Sequence, residues 1–323
     1  EIPSRKGFGV LRNDELPLRP ASVDTWGRLV FVNLDPDAMP LAEWLEGVPD
    51  DIAWARPDEF RCTYVTTTPV RCNWKVVSEG FSETYHVQGL HHEMLGSMDD
   101  VNSPQRFWGR QGVSYQPYGV PSPRLGRHVD DKVVWDSFVI TQGGRMGPDY
   151  APGGARAAEV PAVPEGATMQ DVIAERIRAH QATLGVDLSG YTTDQVLRLS
   201  QYNLFPNTTV LVTADMFTVL TSRPGIAPDQ AEFVLIHLSR VPSADAPRTK
   251  PVDVTVPPEQ ASFGFVLDQD LSVLERMQVG LHQRGFDEVV LSREECRIIN
   301  THRHLEQCLG LPPGGRLSDL THA

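Results

Sequence analysis

The sequence is short of the features that mark several common classes of protein. It has four cysteines in 323 residues, Cys62, Cys72, Cys296 and Cys308, with no C-x-x-C and no C-x-H among them. That argues against a zinc ribbon and predicts reduced thiols in a cytoplasmic protein. No apolar run reaches membrane-spanning length, and no signal-peptide pattern is visible. Basic residues are the minority, 29 Lys and Arg against 42 Asp and Glu, for a formal net charge of −13. Such a balance disfavours nucleic acid or an anionic membrane as partner. The H-E-x-x-H pattern of zinc proteases is absent, as are internal repeats. What remains is ordinary: 40% apolar and 22% charged residues, the composition of a soluble globular protein of one large or two smaller domains.

Against that background one stretch stands out, Asn73 to Glu93, which carries three histidines and three glutamates. Glu79, Glu83 and His86 are spaced i, i+4, i+7 and fall on one helical face within about 60°. His86 and His91 are five apart, about 140° on a continuous helix, so they converge on one ion only if the helix ends between them. The pattern predicts a helix from about Trp74 to Gln88, a turn at Gly89, which readily takes the left-handed geometry, and His91 folded back toward His86. Two imidazoles with one carboxylate and open positions suit non-haem Fe(II) and dioxygen. The ordinary alternative is a solvated helix end.

The stretch resembles the iron-binding signature of the catalytic part of Rieske-type ring-hydroxylating oxygenases, large (alpha) subunit. The similarity covers Asn73, Trp74, Lys75, Glu79, Phe81, Glu83, Tyr85, His86 and His91 in order. Gly80 stands where the family often has Asn. The resemblance implies iron ligands His86, His91 and Asp270. Asp270 sits where the family's aspartate lies, before Glu275 and Gln278 of a helix; its alternative is a helix N-cap, with Asp268 in reserve and Glu93 a weaker candidate. It further implies that Glu83, three residues before the first ligand, bridges a neighbouring subunit's cluster to that ligand. Glu79, Tyr85 and His92 are expected to orient the ligands, and Phe81, Val87 and Leu95 to face the substrate. The [2Fe–2S] centre of the family needs two Cys and two His in C-x-H and C-x-x-H, which this chain lacks. Because it also starts at Glu1, it reads as a fragment whose cluster-binding part lies upstream.

The implied fold is α+β, a curled antiparallel sheet packed against helices in a helix-grip-like catalytic domain over 48–323, preceded by a β-rich remnant of the Rieske domain over 1–47. In that remnant, strands flank Trp26-Gly27 and a short helix runs from Pro40 to Leu45. Further strands are expected at 61–70, 107–115, 132–140, 208–221 and 231–240. Helices are expected at 168–184 behind Thr168, at about 192–201, at 269–282, and at about 293–309 behind a Ser292/Glu295 capping box. The Gly-, Pro- and Ala-rich 143–166 reads as a long mobile loop, and His180, His237, His302 and His304 as packing or solvated residues. The implied function is hydroxylation or dihydroxylation of an apolar, aromatic or polycyclic substrate by O2, with electrons from a ferredoxin or reductase through the cluster. A homotrimer is implied, with or without a small beta subunit. The rivals are a zinc hydrolase on the same ligands and a non-catalytic module binding hydrophobic ligands.

Overall fold

The computed structural model describes residues 3, 5–10, 12, 20–126 and 128–312. A two-stranded hairpin, β1 (Ser22–Trp26) and β2 (Leu29–Asn33), comes first, turning at Gly27 as expected. Two short helices, α1 (Leu41–Leu45) and α2 (Val48–Ile52), lead to the long strand β3 (Phe60–Val70). Helices α3 (Trp74–Gly80) and α4 (Val87–Leu90) follow, then the hairpin β4 (Gln105–Trp108) and β5 (Gln111–Gln116). Three helices come next: α5 (Asp131–Gln142), α6 (Met169–Thr183) and α7 (Thr193–Leu197). A meander of four strands, β6 (Leu199–Leu204), β7 (Thr208–Val212), β8 (Met216–Pro224) and β9 (Ala231–Arg240), is followed by β10 (Val252–Thr255). Helices α8 (Phe265–Leu281) and α9 (Cys296–Cys308) come last among the described residues.

Strands β3 to β10 form one eight-stranded sheet in the order β10-β3-β9-β8-β7-β6-β5-β4. Every pairing is antiparallel except β10 on β3. The period of two along each strand separates the sheet's faces. Phe217, Val219 and Leu238 point to the face covered by the α1–α2 segment, in a cluster with Leu45, Val48, Ile52 and Phe60. Leu220, Phe233 and Leu235 point the other way, against Val76 and Val77 of α3 and Leu274 of α8. On that second face α5 and α6 add a further cluster around Trp135, Phe138, Ile173 and Ile177, all fully buried. Truncating a large side chain there costs about 3–5 kcal/mol. The fold is the α+β arrangement expected.

Several local expectations fail: the strand expected over 107–115 is the β4–β5 hairpin, and that over 208–221 is split into β7 and β8. Residues 132–140 form helix α5, not a strand: Val134, Trp135, Phe138 and Val139 are its buried residues, a helical spacing that outweighs their strand propensity. The helix expected over 192–201 stops at Leu197 and passes into β6, whose residues are all buried, so it shows no alternation. The 143–166 loop starts with two turns of 3-10 helix, Gly143–Met146 and Pro148–Tyr150, that bury Met146 and Tyr150 against α5 and α6. Two capping signals hold. Thr168 and Asp171 cap α6 reciprocally, Thr168 N–H donating to Asp171 Oδ2 at 3.0 Å and Asp171 N–H to Thr168 Oγ1 at 3.2 Å. Glu295 accepts from Ser292 N–H at 2.7 Å before α9.

Candidate metal centre

The ligand-bearing segment is assembled from two helices rather than one. Asn73 caps α3, its side chain accepting from Lys75 N–H at 3.0 Å. The expected helix to Gln88 is interrupted after Gly80, and Gly89 lies inside α4 instead of closing a helix. The cause is competition for the intervening residues. Phe81, Ser82, Glu83 and Thr84 are all buried. Asn203 of β6 donates its amide N–H to Phe81 O and Ser82 Oγ, both at 3.0 Å, and Thr84 Oγ1 donates to Asp100 O at 3.2 Å. With the break in place His86 and His91 flank the short α4, and their rings lie 5.0 Å apart. Just beyond, Gly96 lets α5 approach: a Cβ there would lie 2.7 Å from Ser137 Cβ.

The third donor arrives on α8, which begins at Phe265, ahead of its expected start. Asp268, not Asp270, serves the helix start, accepting from Phe263 N–H at 2.6 Å and Ser262 Oγ at 2.7 Å. Asp270 lies one turn in and is buried. Its Oδ1 is 2.8 Å from His91 Nε2 and 3.5 Å from His86 Nε2. One ligand atom from each of the three lies within 4.8 Å of the others. Both remaining ring nitrogens are held from behind: His86 Nδ1 by Glu83 Oε1, and His91 Nδ1 by Gln269 Oε1 at 2.8 Å. Gln269 in turn donates to Glu93 Oε2 at 3.2 Å. An imidazole whose Nδ1–H is engaged presents an Nε2 lone pair, the state a metal requires. The donor set therefore fits a divalent ion such as Fe(II).

The same contacts favour the charged forms of His86 and Asp270. Burial works against charge on His86, but hydrogen bonds to Asp270 and Glu83 overcome it and raise its pKa to about 10. Burial likewise opposes ionisation of Asp270, yet its bonds to both imidazoles hold the carboxyl below its usual value.

The family model for the ring-hydroxylating alpha subunit, catalytic domain, matches residues 53–311. The chain belongs to this family. Among curated relatives of the alpha subunit, the glycine betaine monooxygenase oxygenase subunit of Chromohalobacter salexigens is 30% identical over 91 residues, 27% of this chain and 20% of that protein. The carnitine monooxygenase oxygenase subunit of Escherichia coli is 26% identical over 115 residues, 34% of this chain and 29% of that one. The crystal structure of a quaternary ammonium Rieske monooxygenase with L-carnitine shares the fold, with a TM-score of 0.57 at 13% identity. That match takes in 95% of this chain and 66% of the other. The chain thus spans less than two thirds of the relatives it matches.

Within this alpha-subunit chain the other expected site residues separate. Phe81 and Val87 line the cavity beside the ligands. Leu95 instead packs into the helical core, while its neighbours Met94 and Met98 line the cavity. Glu79 turns away from the ligands and bonds His302 Nε2 on α9 at 2.6 Å, a histidine that remains partly exposed. Tyr85 is half exposed, and among the described residues its hydroxyl makes no hydrogen bond to a ligand. His92 is exposed beside Glu93. The positions foreseen for Glu79, Tyr85 and His92 are filled by Gln269 and Glu93. The signal for Gln269 was its adjacency to Asp270.

The cavity has a volume of about 260 Å³. Its walls carry Phe81, Tyr118, Phe263 and Leu235 beside the three ligands, and no Lys or Arg lines it among the described residues. Gly80 opens onto it, and a Cβ there meets nothing within 4 Å, so the usual Asn has no steric bar. Behind the sheet's far end, Arg297 of α9 is fully buried with neutral oxygens for partners: Gln105 Oε1 at 3.0 Å, Asn203 Oδ1 at 2.6 Å and Gln201 Oε1 at 3.1 Å. Burial lowers its pKa to about 10. Through Asn203 it braces the break that precedes Glu83. The four cysteines form no disulfide, and no described helix is long and apolar enough to cross a membrane.

Proposed function

We propose that this chain is the catalytic part of a terminal oxygenase that hydroxylates or dihydroxylates a small, largely apolar substrate with dioxygen. The observation that carries the reading is the meeting of His86 Nε2, His91 Nε2 and Asp270 Oδ1 at the wall of a cavity whose lining is more apolar than polar. Ferrous iron bound there supplies the position at which dioxygen is activated by electrons delivered one at a time. The chain's own groups do the rest. Glu83 and Gln269 keep the Nδ1 protons of His86 and His91, fixing both rings. The apolar walls hold the substrate and keep water from the reacting centre. Glu83 and His86 also line an outer groove with Val77, Leu90 and Met277. That supports a role for Glu83 in passing electrons from a neighbouring subunit's Rieske cluster in a ring-shaped trimer, reduced in turn by a ferredoxin or reductase.

In this reading residues 1–47 are the end of the cluster domain and 48–323 the catalytic domain; the separate β1–β2 sheet supports that division. The setting is cytoplasmic. The aromatic side chains suit an aromatic or polycyclic substrate. A second reading, a quaternary ammonium substrate, is favoured by the names of the relatives and by the same rings, since cations bind aromatic faces. Metal analysis of anaerobically prepared protein tests the proposal: iron near one equivalent, lost in His86→Ala and His91→Ala, is expected. Zinc bound in preference to iron would support the hydrolase alternative, and no metal at all the binding module.

A further inference from the structure

Strand register aligns one row of side chains across the cavity face of the sheet. Tyr64 on β3 pairs with His237 on β9, His237 with Thr218 on β8, Thr218 with Leu211 on β7, and Leu211 with Gln201 on β6. All five line the cavity that holds the metal ligands. Polar groups at the two ends of the row, Tyr64, His237 and Thr218 at one and Gln201 at the other, are separated by Leu211. Gln201 is already engaged, accepting from Gln116 Nε2 at 2.7 Å and from Arg297. The other end is different. His237 stacks on Tyr64, ring centroids 5.0 Å apart and planes 19° from parallel. Its Nδ1 meets Thr218 Oγ1 at 3.0 Å. Its Nε2 has no partner among the described residues. Burial lowers the pKa of His237, so the ring is neutral at neutral pH. When the Thr218 hydroxyl donates to Nδ1, Nε2 carries the proton and offers a donor to the cavity.

A half-buried imidazole fixed on two sides, with its third side open to a cavity, is built to read a ligand. We propose that His237 is a substrate anchor: Nε2 hydrogen-bonds an uncharged oxygen, a hydroxyl or carbonyl, on a substrate whose apolar body lies against Leu211, Leu235 and Phe263. The charge of the cavity decides against a carboxylate in that place. Its lining offers Glu83 and Asp270 but no Lys or Arg among the described residues, so an anion would meet only a neutral donor. This deepens the oxygenase reading, which supplies the role of the cavity, and makes the anchor fix which carbon faces the metal ligands.

The test uses the 323-residue chain loaded anaerobically with Fe(II), its iron content assayed in each sample, with 2-naphthol, naphthalene and 2-naphthoate as probes in calorimetric titrations. Naphthol should bind roughly fivefold or more tightly than naphthalene, the worth of one neutral hydrogen bond, and naphthoate weakest of the three. In His237→Phe, which keeps a ring against Tyr64, the preference for naphthol should fall to about one while naphthalene affinity stays within about twofold. His237→Gln, with an amide donor, should restore part of it. Equal affinities for naphthol and naphthalene in the parent protein, an undiminished preference in His237→Phe, or no binding of either probe would each overturn the anchor. If the variant does not fold, the ranking in the parent protein decides alone. Naphthol preference in a protein that takes up no iron would sink the oxygenase reading and leave the anchor standing; equal affinities in iron-loaded protein would sink the anchor only.

Discussion

The two ligand imidazoles face the same carboxylate from different surroundings. His86 is 26% exposed at its side chain and is backed by Glu83, a carboxylate. His91 is 2% exposed and is backed by Gln269, a neutral amide. One looks out toward the groove where Leu90 and Met277 line the surface; the other is sealed beneath α8. A carboxylate behind an imidazole adds negative charge to the ring and couples it to whatever lies beyond, while an amide only fixes its orientation. Under the proposed function this difference predicts a division of labour within one centre, with His91 and Asp270 as the rigid seat and His86 with Glu83 as the electrical contact.

Asp270→Ala is the severest way to break that comparison, because it removes the atom both imidazoles address. Iron binding should weaken by well over 100-fold, beyond the usual cost of losing a group that merely orients a ligand, as read by metal content after desalting. Glu83→Gln comes next. It should keep iron with affinity lowered by about tenfold, yet abolish coupled turnover when the chain is joined to a cluster-bearing domain and a reductase. Gln269→Leu should cost a similar factor in iron affinity while turnover per bound iron survives. Equal turnover losses per iron in these two variants would make the imidazoles equivalent and end the division proposed here.

The mildest effect concerns Glu79, at the end of α3. Its hydrogen bond to His302 raises the His302 pKa, against a smaller opposing effect of burial. A histidine with a raised pKa in the folded state adds stability that is full below its unfolded value of about 6.5 and is lost as pH rises through the folded value. Both side chains are more than a third exposed or nearly so, so screening limits the pair to roughly 0.5 kcal/mol. His302→Gln should therefore lower the melting temperature slightly at pH 6 and leave it unchanged at pH 9.

Two of the three ligands were legible as residues because they sit five apart in one stretch, but the geometry that unites them was not. A helix from Trp74 to Gln88 satisfies every local preference; it is broken by Asn203, more than a hundred residues on, whose amide claims Phe81 and Ser82. Asp270 was reached only by family resemblance, since an aspartate before a helical stretch looks like a cap. The N-cap proved to be Gly264, and it is Asp268, inside the first turns, that ties down the loop ahead by accepting from Phe263 N–H. Glu79 was misplaced for the same reason, its face having been counted along a helix that does not continue; Tyr85 was carried over from the family resemblance and is half exposed here. The sheet was read well where strands show one buried face or a strong run of branched residues, as in β3 and β9. It was missed at β6, buried on both faces, which leaves no alternation to detect. His237, read as a packing residue, pointed nowhere until register set it beside Tyr64 and Thr218.

Arg297 gives the last helix an importance out of proportion to its place at the end of the chain. A polypeptide stopping short of Cys296 would take the Arg297 donor from the side-chain oxygens of Gln105, Gln201 and Asn203, leaving Gln201 only its bond from Gln116. Trimming the tail of this protein would then act like an internal lesion, loosening the peptide that carries Glu83 from a distance.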